Sequence, residues 1–444
     1  MTAVWLAPLL LMPLVGAPLL LRTCFRRFPA GARLVLAGAA GAALTSFVMT
    51  LFALARWRWS LAAVAAGAMP LAWALSRLPA FAPAPPLGPA SPSTPASRLA
   101  ALVSSGAVAA AAFATSLAAA TSPDLFNFWG TKAEQFAAAR GIDVAYLQEP
   151  FHGFLHPYYP PLVTNLGALA SMAAGRFSWE GAMATFPLLV AALAVALPGV
   201  LGGRRDRSGA ASALAVSAIA IVGIRAFVAG NGDTPLVFFE ALAMALLLRR
   251  DAGDPALQAL AGLLFAGAAT TKVEGLPFVL ASAALFLALR ARPFRSALAV
   301  TARLLGPTAL ALAAWFAFGV SRGLFHEYSE YGPFATLHLE HFPRVVAALA
   351  AALAGTAHGL PFLVPVICLF AAGRPPRASW LAIGTAAALV AFLLFAYLHM
   401  ADDPRLWVTW SAARVLMPVP VLLALALSAG RAGGEPEPVV PSPH

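Results

Sequence analysis

Residues 374–399 read RPPRASWLAIGTAAALVAFLLFAYLH, two arginines followed by an uncharged apolar run. A helix needs about 20 such residues to cross the hydrocarbon core of a bilayer. Backbone in lipid must satisfy its own hydrogen bonds, which leaves helices or closed barrels. Alanine and leucine dominate this run and do not alternate with polar residues, which predicts a helix rather than a barrel strand. Arg374 and Arg377 then mark its cytoplasmic edge, because short cytoplasmic loops collect basic residues.

The pattern recurs along the chain. Apolar runs fall near 4–22, 31–55, 59–77, 99–121, 181–201, 209–229, 235–249, 256–271, 276–290, 298–320, 344–370, 379–399 and 414–430. They predict an all-α polytopic membrane protein with about 13 transmembrane helices. Composition agrees: 61% of the 444 residues are hydrophobic and only 11% charged, against about a quarter charged in soluble domains. One buried core cannot absorb that deficit; repeated spans can. Residues 4–22 lack a preceding basic segment and a clear cleavage site, and are read as a retained span rather than a signal peptide.

The 29 basic and 18 acidic residues give a net charge of +11. No basic stripe is interleaved with aromatics, so nucleic acid is excluded as a partner. The arginines instead set an orientation. Arg22, Arg26, Arg27 and Arg33 lie between the first two runs, and Arg204, Arg205 and Arg207 follow the fifth. Arg249 and Arg250, then Arg290, Arg292 and Arg295, then Arg374 and Arg377 follow later ones. Placing all of them inside requires an external N-terminus and an internal C-terminus, with Arg56 and Arg58 left outside. The apolar stretch 161–175 is too short to span and would invert this scheme if it did. It is expected as an interfacial or re-entrant helix on the outer face. The Pro/Ser/Ala-rich segment 79–98 is a cytoplasmic linker between a three-span module, 1–78, and a larger one, 99–430; residues 431–444 form a disordered cytoplasmic tail. Cys24 and Cys368 are too far apart to suggest a disulfide framework or a metal site.

With this topology the external segments carry the chemistry. Loop 122–160 holds Asp124, Lys132, Glu134, Asp143, Glu149, His152 and His156 beside Phe126, Phe128 and Trp129. Phe126–Arg140 fits an amphipathic helix at headgroup level. Asp124 either faces a lipid-borne substrate or caps that helix. His156-Pro157-Tyr158-Tyr159-Pro160-Pro161 is a stiff aromatic corner, or simply a loop-to-helix turn. Gly153 and Pro157 argue against a helix, and hence a metal pair, between His152 and His156.

Gly230-Asn231-Gly232-Asp233-Thr234-Pro235 is a tight turn in which Asp233 and Thr234 can cap the next span. Asp233 is also a second acid at the level of Asp124, and paired carboxylates suit base catalysis or cation binding. In Thr271-Lys272-Val273-Glu274-Gly275, a lysine and a glutamate this near the hydrocarbon are paired or functional, unless Lys272 snorkels. Glu240, inside the seventh run, needs a partner, for which Lys272 is a candidate. Residues 321–343 hold His326, Glu327, Glu330, His338, Glu340 and His341, whose irregular spacing suits a solvated loop better than a metal cluster. Residues 400–413 lead into Arg414, placed either as an interfacial anchor or to grip a phosphate bidentately.

Asp124 followed by Phe128-Trp129-Gly130-Thr131-Lys132-Ala133, the His156–Pro160 corner, Asn231–Pro235, Thr271–Gly275 and Arg414-Val415-Leu416-Met417-Pro418 together resemble bacterial membrane glycosyltransferases of the GT-C superfamily. The likeness is to the aminoarabinose-transferase and protein O-mannosyltransferase branch and covers about residues 99–430. It implies an inverting enzyme of the bacterial cytoplasmic membrane, with its active site facing the periplasm or exterior. The donor would be a polyprenyl-phosphate sugar and the acceptor a lipid, glycan or protein. By position, Asp124 matches the acceptor-side base, Asp233 a second acid, and Lys272 and Arg414 the donor-phosphate ligands. His156, Tyr158 and Tyr159 match the cavity wall, with Lys132 and Glu274 as further substrate-binding residues. No cofactor is firmly implied, though a divalent cation is compatible. The chain departs from the pattern in having Leu125 where an acidic pair would continue, and no large C-terminal soluble domain. The competing readings are a transporter or flippase of lipid-linked sugars, which should gather polar groups near the midplane in inverted repeats, and a non-catalytic assembly subunit.

Overall fold

In the computed structural model the described residues are 2–21, 25, 28–81, 95–118, 122–149, 156–202, 205–225, 231–290, 294–325, 336–399 and 403–429. Arg22, Arg26, Arg27, Cys24, His152, Arg204, Gly230, Arg292, residues 82–94 of the linker, His326, Glu327 and Glu330, and the tail lie outside them. Among the described residues every regular element is a helix. In chain order these are α1 (Thr2–Leu10), α2 (Met12–Leu20), α3 (Ala30–Leu54), α4 (Leu61–Ser76), α5 (Pro95–Ala118), α6 (Gly130–Ala139), α7 (Val144–Gln148), α8 (Leu162–Ala174) and α9 (Trp179–Leu201). There follow α10 (Arg205–Arg225), α11 (Asp233–Leu247), α12 (Pro255–Thr271), α13 (Gly275–Arg290), α14 (Phe294–Ser321), α15 (Phe342–Gly355), α16 (Leu360–Ala371), α17 (Ser379–Leu398), α18 (Pro404–Val415) and α19 (Pro418–Ala426).

Each apolar run carries a helix or a broken pair of helices, but length separates them. Among the described residues four helices are long and apolar enough to cross a membrane: α3, α9, most of α14, and α17. The run 344–370, expected as one span, is broken: α15 and α16 meet at 91° and would make a fifth crossing only as a bent pair. The break is local in origin. Ala357 and His358 have φ of +46° and +56°, and Gly359 +74°, conformations that cannot continue a right-handed helix. The chain is thus an α-helical, membrane-type protein.

α8 is 13 residues long, about 20 Å at 1.5 Å per residue and short of a 30 Å core. Its polar face is used internally. Asn165 Nδ2 donates to the Ser46 carbonyl at 3.2 Å, to Ser46 Oγ at 3.1 Å and to Thr50 Oγ1 at 3.3 Å. These bonds tie α8 to α3. α3 in turn packs against α9, α12 and α14, and most buried apolar side chains of residues 12–81 share one continuous core with the later helices, Val15, Val48 and Ala68 forming a small cluster of their own.

At the centre stand α11 and α12. Every residue of α11 is buried, as are all of α12 after its first. Asp254 starts α12 by accepting from the Ala256 N–H at 2.8 Å, with Pro255 in the first helical position. The two helices are consecutive and pack on each other, running antiparallel. The start of α11 and the end of α12 therefore reach the same end of the bundle, and there the chain carries Asp233 and Lys272.

Candidate functional site

Lys272 follows the last residue of α12, where its extended backbone (φ −157°) ends the helix. Its carbonyl accepts from the Gly275 N–H at 3.0 Å, closing a tight turn into α13. Gly275 is obligatory at this turn: a Cβ would lie 2.2 Å from the Ala268 carbonyl oxygen of α12. The turn aims the ammonium inward. Lys272 Nζ donates to Asp233 Oδ1 at 2.8 Å and lies 2.9 Å from Glu274 Oε1. Lys272 is only 5% exposed, so it does not snorkel. Burial works against its charge, but Asp233 and Glu274 outweigh that and hold the ammonium above the ordinary lysine range.

Asp233 is the first residue of α11, and its N–H donates to Asn231 Oδ1 at 3.0 Å. Its own carboxylate caps nothing. One oxygen holds Lys272 and the other, Oδ2, lies 3.8 Å from Arg414 Nη1. Arg414, in the last turn of α18, donates through Nη1 to Asp124 Oδ2. Asp124 is equally free of capping. It opens a wide turn over Leu125–Trp129, closed by the Gly130 N–H donating to the Leu125 carbonyl five residues back. Such turns are frequent at functional sites.

The result is a row of five charges that alternate in sign: Glu274, Lys272, Asp233, Arg414, Asp124. Its inner members are sealed, with side-chain exposures of 6% for Lys272 and 2% for Asp233. Both ends are more open: Glu274 is 19% exposed, and Arg414 and Asp124 are 21% and 22%. Two cations against three carboxylates give 2 − 3 = −1. Asp233 Oδ2, Glu274 Oε2 and Arg414 Nε have no hydrogen-bond partner among the described residues.

The aromatic corner stands beside this row. His156 adopts φ +48°, rare for a residue with a side chain. Its ring stacks on Phe128 at 5.2 Å and Tyr159 at 4.8 Å between centroids, and its Nδ1 hydrogen-bonds Tyr158 Oη at 3.0 Å. Trp315 Nε1 pins the corner by donating to the Tyr158 carbonyl at 3.1 Å. Burial, then the charges of Lys132, Lys272 and Arg414, push the His156 pKa down to about 4, so the imidazole is neutral at physiological pH. Lys132 is buried on α6 with Nζ 5.1 Å from the Trp129 ring centre. Trp129 in turn packs on Gly232, where a Cβ would come within 2.7 Å of the ring.

The nine residues to which the resemblance gives a role in the site thus lie in or beside one cluster. One expected pairing fails. Lys272 is taken by Asp233 and Glu274, and both carboxylate oxygens of Glu240 lack a partner among the described residues. Glu240 sits about 10 Å along the helix axis from Asp233, fully buried. His338, Glu340 and His341 do converge, with ligand atoms all within 4.8 Å of one another, but their turn contributes nothing to the row. Sequence reasoning also missed Tyr397 on α17. It is buried, its hydroxyl lies 2.6 Å from Ser411 Oγ, and it is within electrostatic reach of Arg414, Glu274 and Lys272. A phenol near the end of an apolar span was the available signal.

The described residues also enclose an apolar cavity of about 320 Å³, lined by α1–α3, α8 and α9 with Leu125, Trp129, Pro235 and Phe238. None of the five charges lines it; it is tied to the row through shared elements, Leu125 following Asp124 and Pro235 lying two residues after Asp233. Comparison with protein-family models, curated proteins and solved structures finds no match to this chain.

Proposed function

We propose that this chain is an inverting glycosyltransferase of the bacterial cytoplasmic membrane, moving a sugar from a polyprenyl-phosphate donor to a hydroxyl or amine on the non-cytoplasmic face. Its frame would be the GT-C-like one of about 13 spans. The observation that carries this reading is the alternating row, borne on elements that also line an apolar cavity. A lipid phosphate needs both surfaces, one for its chain and one for its charge.

The chemistry follows from what a glycosyl phosphate brings. Its leaving group is already good, so the protein has to supply a base and phosphate-binding cations. Asp124 takes the acceptor's proton while the acceptor oxygen or nitrogen attacks the anomeric carbon opposite the phosphate. The bond from that carbon to the phosphate oxygen breaks, and its electron pair leaves with the polyprenyl phosphate. Arg414 and Lys272 balance the charge that develops there, and the isoprenoid chain occupies the cavity. His156, Tyr158 and Tyr159 offer a neutral aromatic wall to the sugar, with Lys132 and Glu274 at its edges. A divalent cation is compatible with the acid excess of the row, but no step requires one.

The test is a deletion strain complemented with wild type or Asp124→Asn. Deletion should accumulate a polyprenyl-phosphate sugar and remove one glycan, and the variant, at normal protein level, should fail to restore it. An unchanged lipid and glycan profile on deletion sinks the reading. Glu240 is the observation that favours a transporter of lipid-linked sugars instead, since transporters place ionisable groups at depth. In that case Glu240→Gln would abolish function and Asp124→Asn would not.

A further inference from the structure

We infer that the donor phosphate and Asp124 compete for Arg414, so that donor binding itself releases the catalytic base. The inference rests on the transferase reading and specifies how that site is regulated.

The row makes the competition necessary. A carboxylate and a phosphate are alternative acceptors for the same guanidinium edge. Asp124 accepts through Oδ2 from Arg414 in the free protein, so one oxygen of the base is occupied. Arg414 is occupied too, since one edge of it is given to Asp124 and faces Asp233. A phosphate entering the site therefore meets two cations that already have acidic partners.

The two cations of the row differ in how readily they yield. Lys272 and Asp233 are sealed at 6% and 2% side-chain exposure. Separating them would strand a buried charge, which is strongly unfavourable. Arg414 and Asp124 are about a fifth exposed, so each can be re-solvated or handed to a new partner. Arg414 also keeps Nε without a partner among the described residues. It can offer a phosphate the two parallel N–H donors that such groups bind best. The exchange is one side-chain rearrangement: the phosphate takes the guanidinium, and Asp124 is left as an unpaired carboxylate beside the anomeric carbon.

Transfer then proceeds with the bookkeeping closed. Asp124 gains the acceptor proton, the acceptor bonds to the anomeric carbon, and the phosphate leaves with the electron pair and one more negative charge. When the polyprenyl phosphate departs, Asp124 returns its proton to solvent and recaptures Arg414.

This predicts an inverted phenotype for Asp124→Asn: transfer is lost while lipid phosphate binds more tightly. The full chain in lipid nanodiscs is titrated with farnesyl phosphate, with farnesol as the uncharged control. Wild type should bind the phosphate in preference to farnesol, and Arg414→Ala should bind it more weakly. Asp124→Asn should bind it about two- to fivefold more tightly than wild type, the scale of a partly exposed ion pair. Asp124→Ser should do the same, and replaces Asn if that variant is not monodisperse. Equal or weaker binding by both Asp124 variants, with Arg414→Ala still weakened, overturns the exchange and leaves the phosphate site standing. No preference for phosphate over farnesol in any form overturns the exchange together with the transferase reading.

Discussion

Lys272 shows how a single side chain carries both stability and site geometry. It neutralises Asp233 and Glu274 where solvent cannot. Removing one partner of such a buried pair costs about 3–5 kcal/mol, because the remaining charges are stranded. Lys272→Met should therefore lower the melting temperature in detergent markedly. Lys272→Met combined with Asp233→Asn should recover part of the loss, the coupling expected of residues in contact. His156 gives a second residue-scale test. Folding lowers its pKa from 6.5 to about 4, so as pH falls the unfolded chain takes up that proton first. Its contribution to stability is unaffected above pH 6.5 and is lost progressively between 6.5 and 4. In a histidine-labelled sample, the His156 C2–H resonance should stay flat from pH 8 to 5.5 while exposed histidines titrate. A midpoint near 6.5 would contradict the buried, cation-facing ring. The sequence made these residues visible because charge near hydrocarbon demands a reason. It did not reveal pairing: whether Lys272 meets Asp233 or Glu240 depends on how α12 is rotated against α11, and apolar residues all round both helices leave that rotation unspecified.

At the scale of elements, the α11–α12 hairpin and the turn into α13 set the site, and Gly275 is where they can be disturbed selectively. A Cβ at Gly275 would strike the Ala268 carbonyl, a backbone atom of a buried helix that cannot move aside. Gly275→Ala should displace the 272–275 turn, loosen the Lys272 pairs and lower both thermal stability and donor binding. Gly306, inside α14, has nothing within 4 Å of an added Cβ. Gly306→Ala should leave binding unchanged and stabilise by up to about 1 kcal/mol, the helix-propensity gain alone. A parallel loss in both variants would show that the effect is not specific to the turn. Helix positions were legible in the sequence because apolar runs in a membrane protein leave the backbone little choice. Breaks were less so. The 91° bend between α15 and α16 falls within one long apolar run, where Gly355, Thr356, His358, Gly359 and Pro361 are the only signals of it. The wide turn after Asp124 has no sequence signature at all: the same residues read equally well as a regular amphipathic helix capped by Asp124, which is the alternative the geometry removes.

For the whole molecule, what matters is which helices meet at the Asp124 end of the row. The first three spans read in sequence as a module set apart by a Pro-rich linker, yet their side chains join the common core and α1–α3 line the cavity that Leu125 also lines. A linker in sequence limits covalent continuity but says nothing about packing, which is why this association could not be read from the chain. If the cavity holds the isoprenoid chain, part of the donor specificity belongs to these helices, far in sequence from the charges. Val35, on α3, lines the cavity and is half-buried. Val35→Trp adds bulk to a space of about 320 Å³ without touching the row. It should weaken farnesyl phosphate binding several-fold, since each isoprenoid methylene excluded from apolar surface forfeits about 0.8 kcal/mol. Binding of inorganic pyrophosphate, which needs only the cations, should be unchanged. Loss of both ligands would mean that the substitution had disturbed the row or the fold. Loss of neither would separate the cavity from the donor and leave the N-terminal helices a purely structural part.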